Sequence, residues 1–181
     1  MNNKAVFLDR DGVINIDRSY VYKVEEFDFM DGIFEFCRHA KKLGYKLVVV
    51  TNQSGIGRGY YSEDDFSKLT NWMKQRFLEN GCELDAIYFC PHHPETAVAP
   101  YLTNCDCRKP APGMLLKAIQ DFALSPSESV MIGDNETDMQ AAKAAGIGRK
   151  VLLDAEHLTT DKPKSSADES WPNLTVGLES F

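Results

Sequence analysis

Five short apolar runs punctuate the chain, at residues 5–8, 46–50, 84–89, 129–132 and 151–153, and each gives way to Asp, Thr, Cys or Gly. The second, Lys46-Leu47-Val48-Val49-Val50, is a continuous β-branched run of the kind expected for a strand covered on both faces. Between the runs the apolar spacing changes to that of helices. Ile33, Phe34, Phe36, Cys37, Ala40 and Leu43 make one face ending at Gly44, and Phe66, Leu69, Trp72, Met73 and Phe77 make another ending at Gly81. Leu115, Leu116, Ala118, Ile119 and Phe122 follow Pro112-Gly113, and a last helix is predicted over 137–145, closed by Gly146. Ser62 and Asp65 have the spacing of a capping box ahead of the second helix. Residues 154–172 are polar and predicted to loop over the surface; 174–178 is predicted to add an edge strand. There is no internal repeat. Strand and helix in alternation imply an α/β chain with a mostly parallel sheet, whose right-handed crossovers bring the carboxyl ends of the strands to one edge.

That edge would gather reactive side chains. The first strand runs into Asp9-Arg10-Asp11-Gly12, and residues 13–20 continue as a loop too polar to be core throughout, a candidate substrate loop. The second delivers Thr51-Asn52-Gln53-Ser54, followed by Gly55, Gly57 and Gly59, a turn whose backbone is expected to approach a phosphate closely. No Gly-Lys-Ser/Thr follows, so it is not a P-loop. The third leads into Cys90 and an irregular insertion that ends in Cys105-Asp106-Cys107-Arg108-Lys109-Pro110, and the fourth ends in Gly133-Asp134.

Composition narrows the possibilities. At 181 residues, 43% of them hydrophobic, the chain reads as one globular domain spanning 1–181. Twenty Lys and Arg against 27 Asp and Glu give a net charge of -7, which argues against nucleic acid as a partner and requires a local basic cluster for any anionic ligand. No start resembling a signal peptide and no run of membrane-spanning length are present, so a cytoplasmic protein, without a membrane partner and monomeric, is expected. In a reducing compartment the five cysteines, three of them near His92 and His93, favour metal over disulfides.

Asp9-Arg10-Asp11-Gly12, Thr51-Asn52-Gln53-Ser54, Lys109 and Gly133-Asp134-Asn135-Glu136-Thr137-Asp138 together resemble the four motifs of the haloacid-dehalogenase superfamily of phosphatases, and they span almost the whole predicted core. The resemblance implies a Rossmann-like three-layer α/β sandwich. The spacing of the motifs leaves no room for a large cap. A phosphate monoester is shielded by its own charge, so catalysis needs cations and an oriented nucleophile. Asp9 is the candidate nucleophile, able to form an aspartyl-phosphate, and Asp11 the candidate acid and base. Magnesium suits Asp9, the Asp11 backbone carbonyl and Asp134. Lys109 would hold the phosphoryl oxygens as a point charge, with the Thr51 hydroxyl donating to them. An acid placed like Asp138 orients the lysine in that superfamily.

Cys90-x-His92 and Cys105-x-Cys107 supply three thiolates and an imidazole, the donor set of a closed structural zinc site in a loop at about 90–107. Either His92 or His93 could reach by spacing; the resemblance favours His92. Ordering this loop would fix Arg108 and Lys109. The Cys-Pro-His-His-Pro and Cys-Asp-Cys-Arg-Lys-Pro segments are similar to those of phosphatases acting on heptose 1,7-bisphosphate and on histidinol phosphate. That likeness implies a small sugar bisphosphate cleaved at position 7, in the supply of activated heptose for lipopolysaccharide, with histidinol phosphate as the alternative. It places substrate contacts at Asp17, Arg18, Ser19, Tyr20, Thr51, Asn52, Gln53, Ser54, Arg108, Lys109 and Asn135. Asn135 stands where a basic residue is frequent, and Arg18 where a neutral or histidine side chain is; Arg18 is expected to take part of the contact with the second phosphate. A reading of another class, a zinc-stabilised binding module without turnover, is opposed by the acidic charge and by the complete set Asp9, Asp11, Thr51, Lys109 and Asp134.

Overall fold

A six-stranded parallel sheet is the centre of the computed structural model, which describes residues 3–153 and 165–181. The strands are β1 (Lys4–Leu8), β2 (Tyr45–Asn52), β3 (Ala86–Cys90), β4 (Val130–Gly133), β5 (Arg149–Leu153) and β6 (Glu169–Trp171), in the order β3-β2-β1-β4-β5-β6. All five neighbouring pairs are parallel. The chain builds outward from β1 to β3, then crosses back to β4 and builds the other way. The reversal falls between β1 and β4, and such a point opens a crevice beyond the strands' carboxyl ends.

The absence of a polar face on the central strands follows from the layers. Val6, Leu8, Leu47, Val49, Val130 and Ile132 point to one side, into a core shared with helices α1 (Ile33–Lys42) and α3 (Glu63–Glu79) through Phe36, Met73 and Phe77. Ala5, Phe7, Val48, Val50 and Met131 point to the other, where two later helices supply Met114, Leu115, Ala118, Met139 and Ala142. The short helix α2 (Ser54–Gly57) follows β2, and the two helices of the second face are α4 (Gly113–Phe122) and α5 (Glu136–Ala144). With Ala5 to Leu8 of β1 fully covered, alternation in the strand separates two apolar cores, not core from water. The capping box opens α3 as expected: the Asp65 backbone N–H donates to Ser62 Oγ at 3.1 Å and the Ser62 N–H to Asp65 Oδ2 at 3.0 Å. Cys37 and Cys82 are buried, and burial pushes the Cys37 thiol well up. No helix of the described residues is long and apolar enough to cross a membrane.

The C-terminal segment corrects the sequence expectation. Residues 174–178 are not an edge strand: helix α6 (Thr175–Ser180) occupies them, and the last strand, β6, lies just before. Leu174 and Gly177, three apart, face the core, with Gly177 against the rings of Phe36 and Trp171. Arg149 fixes β6 through a two-point pair with Glu169 (2.7 and 3.0 Å). The Phe181 ring then packs edge-on to Phe36 at 5.3 Å. Of the predicted polar loop, residues 154–164 lie outside the described residues.

Asp85, just ahead of β3, ties α1 to the sheet edge. It accepts from Lys41 Nζ (3.0 Å), Lys46 Nζ (3.4 Å) and the Leu47 N–H (2.8 Å). Burial alone would raise its pKa, but donation from Leu47 and Lys41 outweighs burial and holds the carboxyl below its ordinary value. A carboxylate so depressed stabilises the fold above its unfolded pKa and loses that contribution as pH falls through the folded value. Asp85→Asn should therefore cost about 1–2 kcal/mol at neutral pH, with the gap to the native chain closing below about pH 4, as read by urea unfolding at a series of pH values.

Candidate active site

Beyond the ends of β1, β2 and β4 lies a cleft of about 440 Å³. Asp9 follows β1, and its backbone N–H still donates to the Ile132 carbonyl at 3.1 Å, so the strand pairing carries it to the cleft floor. Lys109 arrives from the insertion and is 3% exposed. Its ammonium stands 3.0 Å from Asp9 Oδ1 and 2.7 Å from Asp138 Oδ1, and donates to the Val50 carbonyl at 2.8 Å. Asp138, itself 1% exposed, projects from the first turn of α5, and its Oδ2 accepts from the Asn135 N–H at 3.1 Å. Burial would lower the Lys109 pKa, yet Asp138 and Asp9 outweigh it and the net direction is upward, so the lysine stays charged.

The negative charge is not balanced by that lysine. Asp9, Asp134 and Asp138 bring carboxylate oxygens within 4.8 Å of one another. Burial, then Asp138, pushes Asp9 well above the carboxylate range against the pull of Lys109. The same two causes lift Asp134 to about 6. Asp134 Oδ1 is buried without a hydrogen-bond partner. Three acids around one ammonium, with one oxygen unsatisfied, fit a hard divalent cation that takes oxygen ligands. Asp138 is already committed to Lys109 and Asn135, which leaves Asp9 and Asp134 as the freer carboxylates.

Asp11 is held differently. Arg10, 2% exposed, reaches it with Nε (3.2 Å to Oδ2) and Nη2 (3.0 Å to Oδ1) and also donates Nη2 to the Val21 carbonyl at 2.6 Å. Asn15 Nδ2 donates to Asp11 Oδ1 at 3.0 Å, and Gln53 Nε2 to Asp11 Oδ2 at 3.1 Å. Gln53 Nε2 also reaches Thr51 Oγ1 at 2.9 Å, and its Oε1 accepts from the Tyr61 hydroxyl at 2.5 Å. The side chain of Asn52 docks the insertion: its Oδ1 accepts from the Lys109 N–H at 3.0 Å while its Nδ2 donates to the Lys109 carbonyl at 3.1 Å.

Beside the cleft, Cys90, His92, Cys105 and Cys107 form a second cluster with all four ligand atoms within 4.8 Å. Cys107 Sγ is 3.0 Å from Cys90 Sγ and 3.3 Å from Cys105 Sγ, separations far longer than a disulfide bond. His92 turns Nδ1 inward, 3.6 Å from Cys90 Sγ and 3.4 Å from Cys107 Sγ. His93 instead accepts at Nδ1 from the Glu95 and Thr96 backbone N–H groups. The geometry thus selects His92, and the cluster could hold a metal ion. Burial and the neighbouring Cys107 raise the Cys90 thiol pKa strongly.

Most of the residues singled out from the sequence converge here. Asp9, Asp11, Asp17, Ser19, Tyr20, Asn52, Gln53, Ser54, Arg108, Lys109, Asp134, Asn135 and Asp138 line the cleft. Thr51 lies beneath it, 1% exposed. Arg18 is not on its wall: its guanidinium pairs with Asp28 at 2.5 Å, on the exposed side of the loop. The turn after β2 also differs from expectation. Gly55 and Gly57 lie in α2 and serve packing, the first beneath the Tyr61 ring and the second against the Pro91 carbonyl, and neither is among the residues lining the cleft. Arg10, Asn15 and Tyr61 were not singled out. Arg10 carried a usable signal, a cation between two acids at the end of a buried strand; Tyr61 carried none.

A family profile of the haloacid dehalogenase-like hydrolases matches residues 3–146. The chain is 48% identical over 164 residues to the D-glycero-beta-D-manno-heptose-1,7-bisphosphate 7-phosphatase of Yersinia pestis, covering 91% of this chain and 87% of that one. It is 52% identical over 163 residues to the D-glycero-alpha-D-manno-heptose-1,7-bisphosphate 7-phosphatase of Burkholderia mallei, covering 88% and 86%. Its fold matches the crystal structure of D,D-heptose 1,7-bisphosphate phosphatase from B. bronchiseptica, complexed with magnesium and phosphate. The TM-score is 0.83 at 27% identity, over 98% of this chain and 97% of that one.

Gly12 sets the approach of the Asp11 loop to Asp134. Its φ is +86°, and a Cβ there would lie 2.1 Å from Asp134 Oδ2. Gly12→Ala should destabilise the protein by about 1–3 kcal/mol in thermal or urea unfolding and displace Asp134, weakening divalent-cation binding measured by calorimetry.

Proposed function

This chain belongs to the haloacid dehalogenase-like hydrolases, and we propose on that premise that it hydrolyses the 7-phosphate of D-glycero-D-manno-heptose 1,7-bisphosphate. The observation that carries the reading is the convergence of Asp9, Lys109 and Asp134 at the β1/β4 crevice, in a chain about half identical to enzymes named for that reaction. In the proposed chemistry an Asp9 oxygen attacks phosphorus, the bond from phosphorus to the sugar oxygen breaks, and Asp11 gives that oxygen a proton. Asp11 then takes a proton from water, which attacks the aspartyl-phosphate and frees Asp9 and inorganic phosphate. Lys109 steadies the phosphoryl oxygens. The Thr51 oxygen accepts from Gln53, leaving its own proton to donate. Asp138 holds Lys109 in line.

The unpaired Asp134 oxygen and the acid excess fit magnesium, with Asp9, Asp134 and the Asp11 backbone carbonyl as its ligands. Magnesium supplies the positive charge that lets an anionic carboxylate approach an anionic phosphate. Arg108 is the one cation besides Lys109 lining the cleft among the described residues, and it suits the distal phosphate, with residues 17–20 and Asn135 around the sugar. We further propose that Cys90, His92, Cys105 and Cys107 hold a structural zinc, since three thiols and one imidazole are its preferred closed set. The reading takes the chain as one phosphatase domain, monomeric and cytoplasmic, with a small sugar bisphosphate and neither nucleic acid nor membrane as its partner. The product would feed activated-heptose synthesis for lipopolysaccharide.

Phosphate release with magnesium, compared across both heptose 1,7-bisphosphate anomers and histidinol phosphate, should give a specificity constant at least about a hundredfold higher for a heptose substrate. A preference for histidinol phosphate would overturn the substrate assignment, and activity surviving in Asp9→Asn would remove Asp9 as nucleophile. Elemental analysis should find about one zinc per chain, and Cys107→Ser should lose it together with thermal stability. A zinc-free protein of full stability would refute the zinc assignment.

A further inference from the structure

Gln53 lines the cleft, but both of its amide hydrogens are already given. It is 2% exposed, its Nε2 donates to Asp11 Oδ2 and Thr51 Oγ1, and its Oε1 is occupied by the Tyr61 hydroxyl. Asp11 has four N–H donors: two from Arg10, one from Asn15 and one from Gln53. Arg10 and Asn15 belong to the same loop as Asp11, so they fix the carboxylate within that loop. Gln53 alone among these donors comes from another element, the segment that ends β2 and also carries Thr51. It therefore sets the loop's carboxylate against the rest of the cleft.

The Gln53 amide is in turn oriented from behind. Tyr61 is 6% exposed, its ring rests over Gly55, where a Cβ would come within 2.2 Å, and it stacks on Tyr22 at 5.1 Å with the planes 8° apart. Burial pushes its hydroxyl up to about 12, so it stays a donor throughout the working range. A phenol donating to Oε1 leaves only the NH₂ end of the amide facing Asp11. An amide turned the other way would set a carbonyl against a carboxylate.

We propose that Gln53 and Tyr61 are positioning residues that hold the Asp11 carboxyl where it meets the leaving-group oxygen, and that the Gln53 amide gives no N–H to the substrate. The proposal rests on the reading of Asp11 as acid and base. A misplaced acid harms departure of a sugar alkoxide, which needs a proton, far more than departure of p-nitrophenolate, which leaves without one. The ratio kcat/KM isolates this step, because it covers only events up to formation of the aspartyl-phosphate.

The test compares native enzyme, Tyr61→Phe and Gln53→Met on heptose 1,7-bisphosphate and on p-nitrophenyl phosphate. Both variants should lose about tenfold or more in kcat/KM on the bisphosphate, through kcat with KM little changed; on the aryl phosphate Tyr61→Phe should lose less than about threefold, while Gln53→Met, which also frees the Thr51 hydroxyl, should lose more than that but several-fold less than on the bisphosphate. Equal losses on the two substrates, no loss, or a raised KM with kcat intact would overturn the proposal. A native enzyme inactive on the bisphosphate would instead refute the function proposed above. Should Gln53→Met fold poorly, Tyr61→Phe, which removes one oxygen, carries the comparison alone.

Discussion

A buried ammonium that must be neutralised is the constraint around which this structure is arranged. Leaving Lys109 unpaired at 3% exposure would cost far more than a surface charge can, so its neighbours are dictated. Asp9 comes from the end of β1, Asp138 from the first turn of α5 and the Val50 carbonyl from β2. Three elements on two sides of the chain reversal thus meet at one nitrogen. The acids overshoot, because Asp134 joins the same space, and that surplus makes the crevice a cation site. The haloacid dehalogenase-like fold places charge of both signs within a few ångströms and leaves the imbalance for an ion to settle.

How much of this was legible depends on what kind of signal each residue leaves. β1, β2 and β4 were readable because strands buried on both faces must be apolar throughout, and their abrupt ends marked Asp9, Thr51 and Asp134. Cys90, Cys105 and Cys107 were readable because thiols so spaced have few other uses. The choice between His92 and His93 was open by spacing; only the ring directions separate them, with His93 given to its own loop. Residues 174–178 misled because an apolar alternation over five residues also fits one side of a short helix, and the ring of Phe181, which anchors it, is a long-range contact. Gly55 and Gly57 misled similarly: a missing side chain serves a close neighbour as well as a close ligand. Arg18 depended on which way an exposed loop residue turns, and Asp28 was the nearer charge.

The site's two halves are ordered by different means. The carboxylates stand on strand ends and a helix, which the two apolar cores hold. Cys90 to Lys109 buries little apolar surface beyond Ala97, Tyr101 and the cysteines, leaving Val98 and Leu102 exposed, and a segment of that kind needs cross-links of another sort. The Cys and His cluster provides one end, and Cys107 lies only two residues ahead of Lys109.

Asn52 provides the other. Its side chain accepts from and donates to the Lys109 backbone, as one rung of a sheet would, so a lysine delivered by a loop is seated as if it stood on a seventh strand. The chain between His92 and Cys105 is therefore an exchangeable cassette, closed at its base by the Cys and His cluster, with the lysine beyond it pinned by this false rung. Its length and contour can drift without moving the ammonium. No residue of that span is among those lining the cleft, so it can be redrawn while the charge arrangement beneath it is inherited unaltered.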